Sequence, residues 1–213
     1  KIEVVKNGAN RELFKPMPKD EALAERLGLK GKRVIGYIGT HGLAHKLDFI
    51  LQCAKNMQGK NDYHFLFIGA GAEKERLLKM RDTEHIDNVT MLDPVPKTEV
   101  WRYISILDLC LINLKKSPLF TTVIPSKIFE NAGMEIPIIM GVEGEAKDII
   151  DSYGAGLCFE PENEADFNDK LDKLLADDAL YEKCKEGCRA LSNDFDRKVL
   201  AAKMLKVIEN TVE

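Results

Sequence analysis

Residue types suited to holding an anion recur just after apolar runs in this sequence. Gly39-Thr40-His41-Gly42 follows the run ending at Ile38 and precedes a stretch of helical period. Glycines there let the chain turn tightly and bring N–H groups close to an anion, and a helix start adds a favourable dipole for phosphate. A diphosphate is the natural guest, although the same turn serves equally as a bare strand-to-helix connection. Gly69-Ala70-Gly71 repeats the arrangement further on. It lacks a third glycine and an acidic residue closing the next strand, which argues against a redox dinucleotide. Asp93-Pro94-Val95-Pro96 is stiffened by its prolines, whose carbonyls stay free to accept. Val95 and Pro96 can read the edge of a base, or simply stiffen the approach to the next helix.

The segment from Thr121 to Glu130 is the richest. Pro125 suits a first helical turn and Ser126 offers a hydroxyl there, so a helix start with open N–H groups is predicted. Lys127 supplies a mobile cation beside it. With Ile128, Phe129 and Ala132 turned to a core, Glu130 falls about a turn further on, where its carboxylate can accept from a diol such as a ribose. Lys127 and Glu130 on a solvated face are the competing reading.

The elements that must position these residues alternate along the chain. Apolar, β-branched runs at Ile2 to Val5, Arg33 to Ile38, His64 to Ile68, Val89 to Leu92, Leu107 to Ile112, Ile136 to Met140 and Gly156 to Phe159 read as strands. Most are continuous rather than alternating, as strands buried on both faces require. Leu47, Ile50, Leu51 and Ala54 have the spacing of a core-facing crossover helix. The prediction is a doubly wound, Rossmann-like parallel α/β sheet, with ligands beyond the carboxyl ends of its strands. From 160 to 213 the pattern turns wholly helical, carried by Phe167, Leu171, Leu174 and Leu175, then Leu180, Cys184, Cys188 and Leu191, then Leu200, Met204, Leu205 and Ile208. This helical C-terminal tail closes the same domain, so residues 1–213 are read as one unit.

Composition narrows the partners. The 213 residues carry 31 basic and 35 acidic side chains without a long block of either sign, so neither nucleic acid nor an anionic membrane surface is indicated. No apolar run has the length to span a bilayer. The five cysteines form an odd set, mostly in apolar runs, which suits buried thiols in a reducing, cytoplasmic setting. Cys184 and Cys188 stand on one helical face, but no further Cys or His lies near enough in sequence to complete a metal site. The chain opens at Lys1 inside a strand-like run, the mark of a fragment or a processed product.

Taken in order, Lys6-Asn7-Gly8-Ala9-Asn10 with Phe14, Tyr37-Ile38-Gly39-Thr40-His41-Gly42, Gly69-Ala70-Gly71, Asn88-Val89, Pro125-Ser126-Lys127-Ile128-Phe129-Glu130, Gly144-Glu145 and Gly154-Ala155-Gly156-Leu157 resemble the C-terminal domain of glycosyltransferase family 4. These are the GT-B enzymes that move sugars from nucleotide donors, and the resemblance covers nearly the whole chain. It is nearest to bacterial surface-polysaccharide transferases that use UDP-linked N-acetylated aminosugars or deoxysugars.

The resemblance implies several expectations. Glu130 matches the second glutamate of the family's Glu-x7-Glu motif, which holds the donor ribose. The first glutamate falls at Thr122. The Arg and Lys that meet the diphosphate in many relatives fall at Thr40 and His45, leaving Lys127, Lys46 and His45 to supply charge, with the N–H groups of His41 and Gly42 assisting. The implied reaction retains anomeric configuration and transfers a hexosyl or N-acetylhexosaminyl group to a glycan or lipid-linked acceptor. It needs neither cofactor nor metal. The acceptor domain, and any membrane contact at the inner face, would belong to an N-terminal half outside this sequence, without which transfer is not expected. A UDP-sugar 2-epimerase of the same fold and a catalytically silent nucleotide-binding module are the alternatives.

Overall fold

Runs of β-branched, aromatic and aliphatic residues form parallel strands β1 (Arg33–Ile38), β2 (Tyr63–Ile68), β3 (Val89–Leu92), β4 (Leu109–Asn113), β5 (Ile138–Gly141) and β6 (Gly156–Cys158). They make a 6-stranded sheet in the order β3-β2-β1-β4-β5-β6. The computed structural model describes residues 2–59 and 62–212. Chain order reverses between β1 and β4, so the sheet is doubly wound with its switch point there.

Side chains alternate between the two faces of a strand, and two cores follow from that alternation. Ile35 and Tyr37 of β1 join Phe65, Phe67, Leu109 and Leu111 under helices α2 (Leu47–Asn56), α3 (Lys74–Thr83) and α7 (Glu164–Ala176). Cys110, Ile112, Ile138 and Met140 face the other way, against α5 (Lys127–Gly133), α6 (Glu145–Tyr153) and α8 (Asp178–Asp194). A smaller cluster joins Val34, Leu66 and Ile68 to Leu23 and Ala24 of α1 (Glu21–Arg26). Helix α4 (Val100–Ile104) links β3 to β4.

Two expectations change. Ile2 to Val5 is not a strand: the sheet ends at β3 and β6, this run pairs with neither, and Ile2 and Val4 are 91% and 68% exposed. Propensity for a pleated surface has no effect without a partner strand. The helical tail is present as α7, α8 and α9 (Arg197–Val212), yet Met204, Leu205 and Ile208 of α9 are exposed rather than packed in a core. Ala9 ties the start of the chain to the α8–α9 junction, donating to the Phe195 carbonyl at 3.1 Å and accepting from the Arg197 N–H at 3.0 Å. The five cysteines are free thiols, and Cys184 and Cys188 are buried. Among the described residues no helix is long and apolar enough to cross a membrane.

Candidate functional site

The switch point opens because β1 and β4 stay in register only at Ile35 with Leu109 and Gly36 with Cys110. Beyond those pairs Tyr37 and Ile38 bond to β2, while Leu111 to Asn113 bond to β5. The strands splay at their carboxyl ends. A cavity of about 430 Å³ fills the gap, lined by Gly39, Thr40, His45, Lys97, Asn113, Val123, Pro125, Ser126, Lys127 and Glu130 among others. A second hollow of about 320 Å³ shares Gly39, Thr40 and Val100 with it and is walled by Gly69, Ala70, Pro94 and Val95. A larger hollow of about 690 Å³ lies at the opposite, amino ends of the strands, near Lys32, Tyr63 and His64, away from the switch point.

Lys127 and Lys97 are the cations in this lining, and Lys127 is held against an aromatic ring. Its ammonium stands 3.8 Å from the centroid of the Tyr37 ring. Gly39, at φ 155°, has no side chain where that ammonium passes, and a Cβ there would meet Nζ at 2.8 Å. Burial lowers the Lys127 pKa to about 8, with Cys110 and Glu130 acting to raise it. Among the described residues no carboxylate pairs with it. Glu130 lines the same cavity, and burial pushes its carboxyl above the usual range against the opposing pull of Lys97, Arg197 and Lys127.

The turn after β1 is organised differently from the sequence expectation. The His41 N–H donates to the Ala70 carbonyl at 2.8 Å and its own carbonyl accepts from the Glu73 N–H at 2.9 Å, so no open N–H remains at that residue. Its ring is fully buried between Tyr37 and Phe67, with neither nitrogen partnered among the described residues. The Gly42 N–H points to His45 Nδ1 at 3.4 Å, and Gly42 lies outside the main cavity. Glycines at Gly69 and Gly71 are needed because Cβ atoms there would meet the Gly39 and His41 carbonyl oxygens at 1.8 and 2.3 Å. The two glycine loops thus pack on each other, and only Gly39 and Thr40 of the first turn face the cavity.

The expected cations also divide. Burial, then the charge of Lys127, lower the His45 pKa, so its ring is neutral at neutral pH and supplies no charge. Accepting at Nδ1 leaves Nε2 as its donor. Asn113 fixes that short turn by donating to the His45 and Lys46 carbonyls at 2.9 and 3.3 Å. Lys46 is turned away, its ammonium 3.2 Å from Asp48, in a separate charged hollow with Glu73 and Arg76.

Pro125 precedes α5 rather than occupying its first turn, and Ser126 makes no side-chain cap. The N–H groups of Ile128 and Phe129 are already given to the Pro125 and Ser126 carbonyls, both at 3.1 Å. Val95 lines the second hollow; Pro96 lines neither. Thr122 is exposed and outside the main cavity, while its neighbour Val123 lines it. Lys97 and Asn113 were not singled out from sequence. Lys97 directly follows the Asp93-to-Pro96 loop, which was the available signal, and Asn113 ends an apolar run at the predicted ligand edge.

The family model for glycosyl transferases group 1 matches residues 19–190. A Bacillus subtilis (strain 168) protein described as a teichuronic acid biosynthesis glycosyltransferase, TuaH, is 31% identical over 142 residues. That match covers 65% of this chain and 34% of TuaH, so the chain spans only part of the relative's length. A glycosyltransferase from Rickettsia africae superposes with a TM-score of 0.84 at 18% identity, covering 100% of this chain and 58% of that one. Anabaena Alr3699/HepE, crystallised with UDP, superposes at 0.85 with 14% identity, covering 98% of this chain and 57% of that one, and it also has a structure with UDP-glucose.

Proposed function

We propose, from the premise that this chain belongs to the glycosyl transferases group 1 family, that it is the donor-binding half of a GT-B glycosyltransferase. The observation that carries the reading is the presence of both Lys127 and Glu130 in the lining of a switch-point cavity. Open α/β sheets bind ligands at such crevices. Lys127 lies where a diphosphate can reach a cation, and Glu130 lies one helical turn away, where a ribose diol can donate to its carboxylate.

The donor in this reading is a UDP-sugar. Support comes from the UDP and UDP-glucose complexes of Alr3699/HepE and from the sequence resemblance to family 4. Gly39, Thr40 and the Nε2–H of His45 complete the phosphate wall, and Val95 borders the hollow proposed for the base. An N-acetylated aminosugar as donor and a bacterial surface glycan as product follow the resemblance and the match to TuaH.

Bond cleavage puts negative charge on the leaving nucleoside diphosphate, and preorganised donors aimed at that charge lower the barrier. Lys127 supplies the cation and His45 a neutral N–H, so this chemistry calls for no metal ion. The reaction retains anomeric configuration, and its acceptor sits on a further domain. The five free thiols suit a reducing, cytoplasmic compartment.

Calorimetric titration of the chain with UDP, GDP and ADP tests the reading. UDP should bind most tightly. Failure of every nucleotide to bind at millimolar concentration would overturn it.

A further inference from the structure

The Lys127 side chain crosses the sheet at its carboxyl edge. Its helix neighbours Ile128 and Phe129 pack in the core shared with α6 and α8, whereas Tyr37 packs in the core on the opposite face. The ammonium reaches that ring where β1 and β4 no longer pair, and no carboxylate among the described residues holds it. Tyr37 is itself pinned, because its hydroxyl donates to the Thr40 carbonyl at 2.7 Å while its ring meets Phe67 edge-on at 6.0 Å. An aromatic face attracts an ammonium without neutralising it, as a carboxylate would.

We propose that Tyr37 is a positioning residue for the donor diphosphate. Its ring holds the Lys127 ammonium charged and without a carboxylate partner ahead of donor binding, and its hydroxyl fixes the Gly39-Thr40 turn beside it. This deepens the donor-site reading and rests on it. The groups facing the ammonium are Tyr37 on β1, Cys110 on β4, His41 and His45 in and after the following turn, and Glu130 on α5. Both histidines have lowered pKa values, so neither carries full charge at neutral pH. An anion binds the charged lysine, so UDP affinity should hold at neutral pH and fall as pH rises through the Lys127 titration near 8.

The test is UDP titration from pH 6 to 10 on the parent, Tyr37→Phe, Tyr37→Leu, Lys127→Met and the Tyr37→Leu/Lys127→Met pair. Tyr37→Phe keeps the ring and should keep the alkaline midpoint. Tyr37→Leu should weaken binding roughly 5-fold and move that midpoint down by up to about one pH unit, as expected for loss of a cation–π contact. On the Lys127→Met background the same change should cost nothing further. A structural role alone would lower Tm and leave the midpoint in place, which overturns the proposal. If Tyr37→Leu does not fold, the lysine ¹³C–¹H spectrum of the parent decides. A ring-shifted ε-methylene that titrates near pH 8 and disappears in Lys127→Met upholds it, and all lysines at ordinary positions overturn it. If the parent binds no nucleotide, the donor-site reading falls and takes this proposal with it; if UDP binds but the midpoint ignores Tyr37, only the role of Tyr37 falls.

Discussion

Lys127 Nζ lies 2.8 Å from the point where a Cβ on residue 39 would stand, so Gly39 and Lys127 share one space. Gly39→Ala must displace the ammonium and also strain the backbone at φ 155°. Its UDP affinity should fall on the order of 10-fold, with Tm also lowered. Gly42 belongs to the same turn, but its φ is −112° and the nearest atom to an added Cβ is 3.5 Å away. Gly42→Ala should bind UDP within about 2-fold of the parent, a contrast that calorimetry on the two variants reads directly.

Holding a lysine at a pKa near 8 costs stability wherever the group must be charged. Its folded value lies below the unfolded value of 10.5, so the unfolded chain binds more protons between those limits. Stability attributable to Lys127 therefore rises with pH from about 8 to 10.5. Lys127→Met should raise Tm at pH 7, with the gain shrinking toward pH 10. Thermal unfolding of both proteins across that range checks the sign; a pH-independent difference would contradict it.

Glu130 must be ionised to accept two hydroxyl protons, and burial has raised its pKa. UDP affinity should be full at neutral pH and fall on acidification, beginning above the usual carboxylate range. Glu130→Ala should weaken UDP binding by roughly 10- to 100-fold, in line with charged hydrogen bonds worth 1.5–3 kcal/mol. The preference for UDP over 2′-deoxy-UDP should vanish with it. Persistence of that preference in Glu130→Ala would remove the ribose assignment.

His41 lies outside the main cavity lining, and its pKa is lowered to about 4 by burial first and by the nearby lysines second. A depressed histidine makes the unfolded chain bind more protons between pH 4 and 6.5, so stability is lost as pH falls through that window. His41→Leu should flatten this acid loss and leave UDP affinity within about 2-fold. Acid unfolding curves paired with a titration at pH 7 separate the two effects.

Which of these features the sequence disclosed depends on how local their cause is. β1 and β3 were bounded correctly because each is a short run rich in strand formers closed by turn residues, Gly39 after Ile38 and Asp93-Pro94 after Leu92. The loops flanking the switch point were legible because they directly follow strand-like runs, at the carboxyl ends where an open parallel sheet offers its crevice. Ile2 to Val5 failed because a strand also needs a neighbour. α1 was missed: six residues leave little room for a periodic signal, and its N-cap bond from Leu23 to Asp20 depends on geometry. The first glycine turn was legible as a turn but not as a partner of the second, because His41 to Ala70 is a contact between loops. Charge was the least legible quantity. His45 and Lys46 are adjacent cations on paper, yet burial neutralises one and Asp48 engages the other.

The most direct measurement of the central claim is a crystal structure of the chain soaked with UDP. The expected result is diphosphate oxygens within hydrogen-bond distance of Lys127 Nζ and a ribose diol donating to the Glu130 carboxylate, both inside the cavity between β1 and β4. UDP bound elsewhere, such as the hollow beside Lys32 and His64, with that cavity empty, would contradict it.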